Sequence, residues 1–288
     1  MLAYAAPSTV EEAVRALAGA SGLAKVLSGG TDLLVQLRTG RVSPDLIVDT
    51  KKIPGISGIR ERDGGFVIGA ATPGAVIGEC GALQQAWPGV VEAANLIGST
   101  QIQGRASLAG NLCNASPAAD SVPALIAARA TCVVAGANGR REVPVENIVT
   151  GPGRTSLGRD EFIIEFHLPR RPPRSADAYL RFIPRTEMDI AVVGAAVSVT
   201  LDSAGVCTDA RVVLGAVAPT AVLVPDAAAA LIGHAVDATA LAGLDQAARR
   251  ACKPISDKRG TIEYRTKVAG VLARRAATTA YERARERQ

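Results

Sequence analysis

The chain has 288 residues, 48% of them apolar and 20% charged, with a net charge of +5. That balance excludes a disordered chain and leaves room for two cores rather than one. Aromatic residues make up only 3%, too few rings to build a single-strand nucleic-acid platform, so no nucleic-acid partner is expected.

Residues 8–20, STVEEAVRALAGA, read as a first helix. Ser8 or Thr9 caps it, Glu11 and Glu12 occupy its first turn, and Val10, Val14 and Leu17 form its apolar stripe. The stretch before it has no basic segment followed by an apolar core, so no signal peptide is expected. No apolar run is long enough to span a bilayer. Ala24, Val26 and Leu27 then lead into Ser28-Gly29-Gly30-Thr31, and Asp32 opens a helix-like run that stops at Gly40. This is strand, glycine turn, helix start. Adjacent glycines let backbone approach a ligand, and loop amides can point at an anion, so phosphate is the natural candidate. Asp32 suits helix capping but would repel a phosphate on the same amides. A phosphate here would therefore sit on the 28–31 amides, with Asp32 turned inward as a cap or toward a hydroxyl. The pattern is neither a Walker loop nor GxGxxG.

Residues 44–49, PDLIVD, supply another short strand and close a βαβ-like piece. From Ile56 the texture is β-rich, with a hairpin turn at Asp63-Gly64-Gly65. Helices are expected over 73–85 and 89–98, separated by Trp87-Pro88. A second small-residue loop follows at Ser107-Leu108-Ala109-Gly110-Asn111, and then Ser116-Pro117-Ala118-Ala119-Asp120. Two amide-rich loops could clamp the two phosphates of one dinucleotide. Asp120 also suits the N-cap of a helix running to about residue 130.

Strands over 131–135, 141–145 and 161–168 come next. The segment 169–175, PRRPPRS, holds three prolines and three arginines and reads as a stiff linker at a domain boundary. Strands over 179–183, 191–201 and 210–217 form an antiparallel sheet, and helices follow over 225–233, 237–252 and 261–286. The last helix carries Arg274, Arg275, Arg283, Arg285 and Arg287. They read as a solvated face paired with Glu282 and Glu286, or as a docking surface for an acidic partner. The five cysteines are scattered, without CxxC spacing, which fits reduced thiols in a cytoplasmic protein and no metal site. His167 and His234 stand alone and suggest no catalytic base.

SGGTD at 28–32, followed about eighty residues later by SLAGN at 107–111 and NASPAAD at 114–120, resembles the FAD-binding medium subunit of the molybdenum hydroxylases. This is the xanthine dehydrogenase and carbon monoxide dehydrogenase family, and the resemblance covers essentially the whole chain. It implies an α+β fold. A two-subdomain PCMH-type FAD-binding domain would span 1–172, in subdomains of about 1–55 and 56–172. A smaller C-terminal domain of antiparallel sheet and helices would span 173–288. The resemblance places FAD against Val26, Leu27, Ser28, Gly29, Gly30, Thr31, Asp32 and Leu33, and against Ser107, Leu108, Ala109, Gly110 and Asn111. Ile97 and Ile163 match apolar family contacts. Asp120 matches an aspartate that accepts from the flavin or its ribityl chain, and Arg181 falls where the family usually has Lys beside the cofactor. Without the resemblance, Arg181 reads as a surface arginine on an edge strand. Ala109 replaces the first glycine of the usual T-x-G-G-N loop, which is tolerable where φ is negative. Lys25, Arg38 or Arg105 could add positive charge.

The implied function is an oxidoreductase subunit with no catalytic residue of its own. Its FAD would carry electrons from two [2Fe–2S] clusters in a small subunit to an external acceptor. The molybdenum cofactor would lie in a large molybdopterin-binding subunit, in a heterotrimer or its dimer. Two other readings stay open: a stand-alone FAD-dependent oxidase or dehydrogenase of the same fold, and a non-enzymatic interaction subunit.

Overall fold

A computed structural model describes residues 2–287. Strand β1 (Ala3–Ala5) and helix α1 (Val10–Ala18) open the chain. Thr9 Oγ1 caps α1 by accepting the Glu12 N–H, and the Glu12 carboxylate reaches back to the Ser8 N–H, a reciprocal cap. Strand β2 (Ala24–Leu27), helix α2 (Leu33–Arg38) and strand β3 (Leu46–Asp49) complete a parallel sheet in the order β1-β3-β2. The glycine turn leaves this sheet at the carboxyl end of β2, the end at which open α/β sheets bind ligands.

Strands β4 (Ile59–Arg62) and β5 (Gly65–Gly69) form the expected hairpin. Asp63 and Gly64 both have positive φ, 55° and 75°, the conformation a two-residue hairpin turn requires. The helix expected over 73–85 is instead two, α3 (Gly74–Glu79) and α4 (Gly81–Ala86), because the backbone turns extended at Cys80. Helix α5 (Pro88–Ala94) stops short of the expected residue 98, and Gly98 takes φ +64° just beyond it. Helix α6 (Thr100–Gln103) comes next. The expected second loop is itself a helix start: Ser107 caps α7 (Leu108–Cys113). Helix α8 (Ser121–Ala127) is buried along its whole length.

Strands β6 (Thr131–Gly136), β7 (Gly139–Pro144), β8 (Val149–Gly151), β9 (Arg154–Thr155) and β10 (Phe162–Leu168) follow. Five strands pair in the order β4-β5-β10-β6-β7, and β8 pairs with β9. Strand β11 (Ser175–Phe182) begins four residues before the sequence reading placed it, and Arg171 of the supposed linker is packed over the Trp87 ring at 3.7 Å. Pro169, Arg170, Pro172 and Pro173 are exposed, so the segment is solvated but pinned at Arg171. Strands β12 (Val193–Leu201), β13 (Cys207–Gly215) and β14 (Val222–Leu223) extend β11 into an antiparallel sheet. Helices α9 (Pro225–Ala229), α10 (Ala238–Ala251) and α11 (Ile262–Arg285) close the chain.

The architecture is α+β, with two apolar cores. Ala269, Ala273, Ala276, Ala277, Ala280 and Ala284 bring α11 close to one face of the antiparallel sheet and make the second core with Ala176, Ala178 and Val197. The other face of that sheet turns toward the first core, to which Tyr179, Ala196 and Val213 contribute. Alternation along β11 therefore sends Ala176 and Ala178 to one core and Tyr179 to the other.

The last helix corrects the sequence reading in part. Arg265 is buried and donates to the carbonyls of Val192 and Ala216 and to Asp257. Arg283 donates to the Asp177 carbonyl and to Glu92, and Arg287 to the carbonyls of Ala86, Gln85 and Ser175. Arg283 and Arg287 fasten the end of the helix to α4, α5 and β11, whereas Arg274, Arg275 and Arg285 are exposed, as a solvated face requires. His167 is not isolated either: it lies between Glu142 and Glu165, at 2.7 and 2.8 Å.

Candidate functional site

The two small-residue segments meet. Ser28 Oγ and Ser107 Oγ are 2.8 Å apart, and Arg105 Nε donates to the Gly29 carbonyl at 3.0 Å. A Cβ built on Gly29 would fall 1.9 Å from the Arg105 carbonyl oxygen, so this glycine is needed for the approach of one loop to the other. Gly30 has φ +82°, which an L side chain rarely adopts. Among the described residues, the N–H groups of Gly29, Gly30, Thr31 and Asp32 make no hydrogen bond within the protein. Four donors therefore lie together at the start of α2. Asp32 is solvent-exposed and makes no capping hydrogen bond, contrary to expectation. Its backbone is already helical (φ −93°, ψ −48°), which is not the extended conformation of a side-chain cap.

Lys51 was missed in the sequence. It follows β3, donates from Nζ to the Ser28 carbonyl at 3.2 Å and pairs with Asp49 at 2.7 Å. The register of β3 beside β2, with Leu27 opposite Asp49, brings it there. Arg105, foreseen as an added charge, does bond the first loop. Lys25 and Arg38 make no hydrogen bond to either loop among the described residues.

In the second segment, Ser107 Oγ also accepts the Gly110 N–H at 3.2 Å, which caps α7. Ala109 lies inside α7 and is absent from the residues with positive φ, so replacing glycine there carries no backbone strain. Leu108 and Ala109 are buried. Asn111 Oδ1 accepts from the Ser121 N–H and hydroxyl at 3.2 and 2.7 Å, which joins α7 to α8 beside Asp120.

Asp120 is not a helix cap. Its own φ and ψ, −67° and −42°, are helical, and no capping bond forms. Instead Oδ1 accepts from the Tyr179 hydroxyl at 3.1 Å and Oδ2 from Arg181 Nη1 at 3.0 Å. The same Arg181 Nη1 donates to the Leu96 carbonyl at 2.7 Å, next to buried Ile97. Strand β11 is an edge strand, yet the Arg181 side chain is only 5% exposed, so the surface-arginine alternative fails. Both hydrogens of Nη1 are committed. Nε and Nη2 make no hydrogen bond among the described residues. Burial pushes the Asp120 carboxyl up to about 6, opposed by the Arg181 charge and then by the Tyr179 hydroxyl. Burial, with Asp120 beside it, holds the Tyr179 phenol well above its ordinary value.

The structure thus forms two groups. One comprises Ser28–Asp32, Lys51, Arg105 and the start of α7, and the other Leu96–Ile97, Asp120, Tyr179 and Arg181. The Asn111–Ser121 bonds connect them. Ile163 belongs to neither group's hydrogen bonds and is a buried residue of β10 opposite Val134. Unpaired amides beside a lysine suit an anionic, phosphate-bearing ligand. A buried guanidinium with a free edge suits a planar polar one. FAD combines both, and the residues present fit it.

Fold and site together define a two-domain flavin-binding oxidoreductase chain. The family described as "FAD binding domain in molybdopterin dehydrogenase" matches residues 1–171, and the "CO dehydrogenase flavoprotein C-terminal domain" family matches 178–280. This chain belongs to that family of molybdopterin-dehydrogenase flavoproteins, the FAD-binding medium subunits. It is 33% identical to the carbon monoxide dehydrogenase medium chain of Hydrogenophaga pseudoflava over 97% of both chains. It is 31% identical to the 6-hydroxypseudooxynicotine dehydrogenase complex subunit alpha of Paenarthrobacter nicotinovorans, over 98% of this chain and 95% of that one. A solved carbon monoxide dehydrogenase from H. pseudoflava, lacking the Mo-pyranopterin moiety, superposes with a TM-score of 0.94 at 34% identity, covering 98% of each chain.

Proposed function

We propose that this chain is the electron-transfer subunit of a molybdenum hydroxylase. It would receive electrons from the [2Fe–2S] clusters of a small subunit and deliver them to an external acceptor. A large molybdopterin-binding subunit would complete a heterotrimer or its dimer, in the cytoplasm. The observation that carries this reading is the junction of the two loops, Ser28 to Ser107 and Arg105 to Gly29, which gathers four unpaired amides beside Lys51. Bound FAD would supply one- and two-electron redox chemistry, which no side chain offers.

The chain's own residues bind and orient. The amides of Gly29, Gly30, Thr31 and Asp32 and the start of α7 (Ser107, Leu108, Ala109, Gly110, Asn111) would hold the diphosphate, with Lys51 offsetting part of its charge. Val26, Leu27, Leu33, Ile97 and Ile163 would supply apolar contact. Asp120 and Arg181 would meet the polar edge of the flavin. Arg181 replaces the family Lys as a cation, but Asp120 balances its charge at 3.0 Å. We place the division between the FAD-binding and C-terminal domains at 172/173, within the six-residue gap between the two family matches.

The test is a visible absorption spectrum of the protein purified from its native host with its partners retained, with iron and molybdenum assayed on the same sample. Flavin together with both metals is the expected result. Flavin alone, in a lone chain that turns over a substrate, would replace this reading with a stand-alone flavoenzyme. No flavin, even after FAD is added, would overturn it.

A further inference from the structure

We propose that Tyr179 is a positioning residue of the flavin site. Its buried hydroxyl fixes the Asp120 carboxylate so that Asp120 holds Arg181 with one edge tied down and the other free. The inference rests on the FAD reading above and deepens it, because neither Tyr179 nor its hydroxyl bears any of the cofactor contacts already assigned.

The geometry is specific. Tyr179 and Arg181 lie two apart on β11 and point to the same face. Their donors take opposite oxygens of Asp120, Oδ1 at 3.1 Å and Oδ2 at 3.0 Å. The carboxyl plane is thereby set by two anchors instead of one. Arg181 Nη1 is then saturated by Asp120 and the Leu96 carbonyl, so the guanidinium cannot swivel and Nε and Nη2 keep one direction. Tyr179 is itself held: it is 2% exposed and its N–H donates to Glu92 at 3.0 Å. Room for the hydroxyl comes from β12, where Gly194 lies opposite Arg181 and a Cβ would fall 2.7 Å from Tyr179 Oη.

A hydrogen bond to a buried carboxylate favours its ionised form, so removing the donor makes Asp120 easier to protonate. Burial has already raised this carboxyl to about 6, within reach of an ordinary titration. Few other charges face it. From β11 come Arg181 and Tyr179, with Asp177 on the same face paired with Arg171, and α5 brings Glu92, which is paired with Arg283. From β13, Arg211 is paired with Glu146 and Asp209 with Arg129. Strand β12 contributes no titratable side chain, α7 contributes Cys113, and Cys207 of β13 faces the second core instead.

The experiment is FAD affinity of the full chain, with co-purifying subunits retained, followed by flavin fluorescence from pH 5 to pH 8. Wild type, Tyr179→Phe and Asp120→Asn are compared, and thermal melting of each apo sample confirms folding. Wild-type affinity should weaken on acidification, with Arg181 released as Asp120 takes up its proton. Tyr179→Phe should move that midpoint upward by about one pH unit. Asp120→Asn should flatten the profile. A Tyr179→Phe profile superimposable on wild type would overturn the proposal and leave the FAD reading intact. Wild-type protein that binds no FAD at any pH would instead overturn the FAD reading. If Tyr179→Phe fails to fold, Gly194→Ala displaces the same hydroxyl from β12 and must give the same upward shift, or the proposal falls.

Discussion

At the scale of single residues, the two glycines of the first loop have different jobs. Gly30 answers to its own backbone, at φ +82°, and Gly29 to its neighbour, since a Cβ would lie 1.9 Å from the Arg105 carbonyl oxygen. Gly29→Ala must therefore push the two loops apart. That breaks the Arg105–Gly29 bond and strains the Ser28–Ser107 contact, at a cost of about 1–3 kcal/mol. Urea denaturation should show that loss, and flavin content should fall with it. Full flavin occupancy in Gly29→Ala would show that the junction does not build the site. Asp120 gives a second prediction. Its carboxyl has an ordinary value of 3.8 and stands at about 6 in the folded protein, so the native state holds the proton more tightly. The sign follows: its contribution to stability is complete below the ordinary value and is lost as pH rises through about 6. Relative to Asp120→Asn, wild type should lose up to about 3 kcal/mol between pH 4 and pH 7. A difference between the two proteins that does not change with pH would refute the assignment.

At the scale of elements, what could be read from the sequence was local. Thr9 with Glu12, the Asp63-Gly64 turn and the strand before Ser28 each carry their cause within a few residues, and each formed as the pattern implies. What escaped depended on distant partners. Asp120 sits where a cap should, yet Tyr179 and Arg181, some sixty residues on, claim its carboxylate. Lys51 has no motif and reaches the site only through the register of β3 against β2. PRRPPRS has the composition of a linker, but Arg171 is buried over Trp87 and paired with Asp177 at 2.5 Å. That pair ties the segment before β11 to α5, since Asp177 also lies against Gly89. Removing one member of a buried pair strands the other's charge. Arg171→Ala should cost about 3–5 kcal/mol, and Arg171→Met with Asp177→Leu should recover much of it. Chemical denaturation of the single and double variants measures this directly, and an additive double variant would show that the two charges do not depend on each other.

At the scale of the whole molecule, the two cores are not independent. Tyr179, Ala196 and Val213 belong in sequence to the C-terminal part but pack into the first core. Arg283, in the last turn of α11, and Arg287, just beyond it, donate to Asp177, Glu92, Ala86 and Gln85. Arg181 ends at Leu96 and Asp120. The site proposed for the flavin therefore uses both parts, and neither can complete it alone. Opening the boundary would expose apolar surface and leave buried charges unpaired, which couples the unfolding of one core to that of the other. Calorimetry of the full chain should accordingly show one transition, with equal calorimetric and van't Hoff enthalpies. A fragment of residues 1–172 should melt at lower temperature than the full chain and fail to retain FAD, because it lacks Tyr179 and Arg181. Two resolved transitions in the full chain, or a 1–172 fragment with full flavin affinity, would show that the C-terminal part is an appendage to the flavin site and not one of its walls.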